Sequence, residues 1–96
     1  MKIILSAQAE TDLVSVHQYL VARNPVAAVA LAKTFRAKLK NLAHFPFIGR
    51  DRSSLGRGLR SIVAENYLIF YRVERDGVFI VRVLDGRRDI DAEFHR

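Results

Sequence analysis

The side chains able to do chemistry here are unevenly distributed. The 96 residues hold sixteen Lys and Arg, of which twelve are Arg, together with three Tyr, three His and no Cys. Without cysteine neither a disulfide framework nor a thiolate metal site can form. His17, His44 and His95 show no metal-ligand spacing, so no metal is expected, and nothing points to a cofactor. His17 lies among apolar helical positions and is expected to be a partly buried structural residue. His44 begins a loop and could cap the helix before it. Gly49, Gly56 and Gly58 are not followed by Gly-Lys-Ser/Thr, so they are read as turn formers and not as a phosphate cradle. What remains is arginine, whose planar fork suits phosphate and carboxylate. Arg50, Arg52 and Arg57 share one loop, where they either contact a target or simply confer solubility.

Ten acids leave a formal charge of +6. A basic chain of this size points to nucleic acid, a nucleic-acid machine or an acidic protein partner. The length suits one domain, residues 1–96. Lys2–Leu5 is too short an apolar stretch for a signal peptide or a membrane span, so a cytoplasmic protein with no membrane partner is expected.

The elements that position these arginines follow from period and punctuation. Lys2–Leu5 reads as a strand and Ser6 as a helix N-cap. Ala9, Leu13, Val16, His17 and Leu20 then make a helical stripe. Asn24-Pro25 restarts the chain as a second helix over Val26–Ala43, with Ala28, Leu31, Ala32, Phe35, Leu39 and Leu42 on one side. So short a link predicts an antiparallel helix pair. His44–Gly58 reads as a long loop. Leu59–Ala64, Tyr67–Glu74 and Val78–Leu84 alternate as strands, with turns at Glu65-Asn66 and Asp76-Gly77. Asp89 is positioned to cap a short last helix carrying Ile90 and Phe94. The fold class is therefore α+β: an N-terminal strand, an α-helical hairpin, an antiparallel sheet of three further strands and a short C-terminal helix.

With two-residue turns, Arg60 faces Tyr71 and Tyr71 faces Arg82, giving an Arg–Tyr–Arg row on one face of the sheet. Leu59, Val63, Leu68, Phe70, Phe79, Val81 and Val83 fall on the other face, the better candidate to pack on the helices. The row could hold a phosphate or a partner's carboxylates. Alternatively, each arginine pairs with a nearby acid such as Asp85 or Asp89. A one-residue slip would break the row.

Four blocks in order carry a resemblance: Phe45-Pro46-Phe47-Ile48-Gly49-Arg50, Gly58-Leu59-Arg60, Tyr67–Val73, and Arg82-Val83-Leu84-Asp85-Gly86-Arg87-Arg88-Asp89-Ile90. With the opening Leu5–Leu13, they resemble the ParE/RelE toxin superfamily of type II toxin–antitoxin systems, in its ParE-like branch, over nearly the whole chain. The resemblance implies the RelE/ParE-like fold. It implies a toxin that inhibits DNA gyrase by binding, with growth arrest and plasmid stabilisation as its setting, and a cognate ParD-like antitoxin that neutralises it. Operator DNA would be reached only indirectly, through the antitoxin. RelE-like members instead cut messenger RNA on the ribosome, and a third possibility is an inactive antitoxin-binding member. Cleavage needs groups that move protons. Here the C-terminal aromatic is Phe94, without a hydroxyl, which favours a binding poison with no catalytic residues. Target contacts are expected at Arg50, Arg52, Arg57, Arg60, Tyr71, Arg82 and Arg87. Antitoxin contacts are expected at Leu13, His17, Leu20, Phe35 and Leu39, some of which must instead face the sheet.

Overall fold

A computed structural model describes residues 1–95. Strand β1 (Ile3–Leu5) ends at Ser6, whose hydroxyl oxygen accepts the Ala9 N–H and so caps helix α1 (Ala7–Arg23). Asn24 closes α1 by donating its backbone N–H to the Leu20 carbonyl. The same residue opens helix α2 (Pro25–His44), its side-chain oxygen accepting the Ala27 N–H. A cap of this kind is worth about 1 kcal/mol. Because one residue serves both ends, no linker separates the helices, and they fold back on each other.

The loop after α2 contains a two-residue strand that sequence reading passes over, β2 (Arg50–Asp51). It is followed by β3 (Arg60–Ala64), β4 (Tyr67–Glu74), β5 (Gly77–Asp85) and helix α3 (Ile90–Phe94), which Asp89 caps through the Ala92 N–H. The sheet order is β1-β5-β4-β3-β2, with β1 parallel to β5 and the remaining pairs antiparallel. Among the described residues, no helix is long and apolar enough to cross a membrane.

Each face of the sheet has its own core. Toward the helices, Ala64, Ile69, Tyr71, Val78, Ile80 and Val83 pack with Ala9, Leu31, Phe35 and Leu42. On the other face, Leu59, Phe70 and Leu84 are buried beneath Leu55, Ile90 and Phe94. The Phe94 ring meets Phe70 edge-on, 4.8 Å between centroids.

The register corrects the expected arginine row. In the first hairpin Ala64 faces Tyr67 and Arg60 faces Tyr71, as the Glu65-Asn66 turn predicts. In the second, Glu74 pairs with Gly77, so the turn is Arg75-Asp76 and not Asp76-Gly77. Gly77 is used within the strand, where a Cβ would run into the Lys2 carbonyl oxygen beside β1. The earlier turn shifts each partner by two residues and preserves the faces. A bulge at Val81, between the pairs Tyr71–Ile80 and Phe70–Arg82, shifts Arg82 by one more and places it on the face of Phe70. Arg60, Tyr71 and Arg82 therefore do not form one row.

The helices also cover the face opposite to the one expected. Leu59, Val63, Leu68 and Phe70 lie away from them, while Val83 and Tyr71 lie beneath them. Tyr71 can be fully buried because its hydroxyl oxygen accepts the Gly49 N–H at 2.8 Å. That bond offsets much of the cost of removing a phenol from water. His17, expected to be partly buried, is exposed on α1.

Candidate functional site

Two surfaces stand out. The first is the short hairpin made by β2, residues 52–59 and the start of β3. It exists because Arg50 pairs with Ser61 and Asp51 with Arg60, while the Arg52 N–H donates to the Leu59 carbonyl. Two of its arginines, and one from β4, are held by neutral partners. Arg52 donates from Nε to the Ser61 hydroxyl at 2.8 Å, with its guanidinium 5.7 Å from the Phe70 ring centroid. Arg60 donates to the carbonyls of Gly49 at 2.9 Å and Phe47 at 3.1 Å. Arg72, from β4, donates from Nε to the Arg57 carbonyl at 2.9 Å. Arg50 and Arg57 are exposed. Burial, and then the charge of Arg50, push the Arg52 guanidinium below its ordinary value. The one acid in this segment, Asp51, is exposed across from Arg60 and accepts the Ser53 N–H, which, more than the nearby Arg60 charge, holds its carboxyl below the usual range.

The loop before this hairpin is pinned at Gly49. Its N–H is bound by Tyr71, its carbonyl by Arg60, and a Cβ there would overlap the Tyr71 ring. Phe45, Phe47 and Ile48 are thereby presented to solvent, each more than half exposed. Tyr71 is thus a positioning residue with no exposed surface, and burial raises its phenol above the ordinary value. The structure brings Arg50, Arg52, Arg57, Arg60 and Tyr71 to one end of the molecule.

Arg82 and Arg87, also expected there, lie elsewhere and are engaged. Arg82 grips Asp12 of α1 through two bonds, Nε to Oδ2 at 2.8 Å and Nη2 to Oδ1 at 3.1 Å, and reaches Glu93 of α3 at 3.4 Å. Asp12 also accepts the Val83 N–H at 2.9 Å, on the edge of β5 that the short β1 leaves bare. The bonds it donates to Asp12 raise the Arg82 guanidinium above its ordinary value. Arg87 pairs with Asp85 at 2.8 Å, and Arg88 pairs with Glu93 at 3.1 Å. Arg87 and Arg88 line a cleft of ≈ 410 Å³ together with Tyr19 and Tyr67.

The second surface is an apolar groove of ≈ 240 Å³ between α1 and α2. It is lined by Leu13, Val16, His17, Leu20, Ala28, Leu31, Ala32 and Phe35. Four of the five residues expected to meet an antitoxin are there. The fifth, Leu39, packs inward against Leu5, Ile69 and Ile80.

Sequence reading missed Arg72, Asp12 and the presented apolar loop. Arg72 follows Tyr71 and so had to lie on the opposite face, a signal present once the hairpin register is drawn. Asp12 gives no local signal for a bond to a residue 70 positions away. Among the described residues no group of His, Asp and Glu is placed to hold a metal ion.

Comparison with known proteins fits this geometry. Residues 3–90 match the family model described as ParE toxin of type II toxin–antitoxin system, parDE. The chain is 32% identical over 93 residues to Toxin ParE3 of Caulobacter vibrioides, covering 96% of this chain and 93% of that protein. Its fold is similar to a solved chain from the chromosomal ParDE TA system from P. aeruginosa. The TM-score is 0.74 and the identity 22%, over 88% of this chain and 95% of the other.

Proposed function

Since this chain belongs to the ParE toxin family of type II toxin–antitoxin systems, we propose that it arrests growth in the cytoplasm by binding DNA gyrase and is held inactive by a ParD-like antitoxin. The observation that carries the binding mode is the fate of the Arg–Tyr–Arg set. Tyr71 is buried, Arg82 is locked to Asp12, and Arg60 is committed to two backbone carbonyls. These three side chains are therefore not assembled for proton transfer beside a phosphate. What the surface does offer is shape and charge.

The groove between α1 and α2 suits the apolar face of an amphipathic antitoxin helix. The cationic surface would speed capture of an acidic antitoxin by electrostatic steering. Purified chain added to gyrase and relaxed plasmid should block supercoiling, and equimolar antitoxin should restore it. Mapping transcript ends in cells expressing the chain alone is the companion test. Cuts within translated codons, with gyrase unaffected, would replace this reading with ribosome-dependent endoribonuclease activity. Neither effect would leave an inactive antitoxin-binding member.

A further inference from the structure

The hairpin of residues 50–61 has a composition that the apolar groove does not explain. It carries Arg50, Arg52, Arg57 and Arg60, with Ser53, Ser54, Gly56 and Gly58 between them, and Asp51 as its one acid. Arg72 joins it from β4. Among the described residues none of these five arginines is in an ion pair, whereas Arg82, Arg87 and Arg88 all are. Arg52, Arg60 and Arg72 are each anchored through part of the guanidinium to a hydroxyl or carbonyl. Their remaining N–H groups are oriented in advance and leave little side-chain entropy to be lost on binding.

We infer that this hairpin is a docking site for the phosphodiester backbone of duplex DNA, so that the toxin touches nucleic acid directly. Its gyrase-bound setting rests on the function proposed above, but the contact itself does not. The segment forms the β2 edge of the five-stranded sheet, where arginines can meet a line of backbone phosphates. Arg50 and Arg60 fall on opposite faces of this edge, so the positive charge is spread along it and not gathered at one point, as a duplex with closely repeated phosphate charges requires.

The test uses the full chain free of antitoxin, a labelled 30-base-pair duplex of arbitrary sequence, and fluorescence anisotropy across a salt series. Binding is expected to weaken steeply with salt. R50Q/R57Q, which alters two exposed side chains, should weaken it at least tenfold and lower the slope of log affinity against log salt by about two. K33Q/R36Q, on exposed positions of α2, should leave it unchanged. The inference is overturned if no binding appears at low salt, if R50Q/R57Q binds as tightly as the parent, or if polyglutamate competes as well as DNA. That last result would mark an acidic-protein surface. Gyrase inhibition without DNA binding would sink this inference alone. DNA binding without gyrase inhibition would sink only the function proposed above.

Discussion

Two groups of arginines occupy opposite ends of one small sheet and have opposite fates. At the β5–α3 end, Arg82, Arg87 and Arg88 meet Asp12, Asp85 and Glu93, so each is matched by a carboxylate of the same molecule, Arg82 in an enclosed site and Arg87 and Arg88 at the surface. At the β2–β3 end, Arg52, Arg60 and Arg72 meet a hydroxyl and carbonyls, which orient a guanidinium without neutralising it. The residue type is the same. What differs is whether folding delivers a carboxylate. At the paired end Arg82 ties α1 and α3 to the sheet, and at the other end no arginine is in a salt bridge among the described residues.

The sharpest way to break this contrast is at Asp12. D12A would leave Arg82, whose side chain is only 15% exposed, with the longer contact to Glu93 alone, and would remove the acceptor of the Val83 N–H. Losing one partner of so enclosed a pair should cost about 3 kcal/mol, read as a lower urea midpoint. R50Q should leave that midpoint where it is. An R50Q variant as unstable as D12A would erase the distinction between the two ends. Next in size is G49A, whose methyl group must displace the buried Tyr71 ring. It should destabilise by about 2 kcal/mol and release the Phe45–Ile48 loop, seen as faster amide exchange there. Y71F keeps the packing and loses one hydrogen bond, a loss of about 1 kcal/mol, with the same loop released to a lesser degree.

The smallest effect concerns Asp85. Bonds from the Arg87 side chain and backbone hold its carboxyl at about 2, below its ordinary 3.8. A depressed carboxyl contributes stability above its unfolded value, and that contribution is lost as pH falls from about 4 through about 2. Carboxyl NMR titration should place Asp85 in that low range, and R87Q should move it upward. A titration near 3.8 in the parent would mean the pair does not persist in solution.

Where the structure agrees with expectation, the signal was local. Ser6, Asn24 and Asp89 cap helices through backbone groups three residues away, and Glu65-Asn66 sets the register of its hairpin unaided. Where they part, the cause lies far away in sequence. Asp76-Gly77 has the composition of a turn, but contact with Lys2 draws Gly77 into the strand. The Val81 bulge then turns Arg82 over, and Asp12, from α1, holds it. Tyr71 reads in sequence as part of a polar row, because a sequence does not display the Gly49 N–H that satisfies its hydroxyl in the core. The seven arginine and tyrosine positions expected to meet a target thus divide by tertiary partners that no spacing rule reveals.

The most direct measurement is gyrase supercoiling of relaxed plasmid titrated with the parent chain, R50Q/R57Q and R87Q/R88Q. The parent and R87Q/R88Q should inhibit alike, with R50Q/R57Q at least tenfold weaker though folded to the same urea midpoint. Equal inhibition by all three, or loss confined to R87Q/R88Q, would contradict the assignment of target contact to the unpaired end.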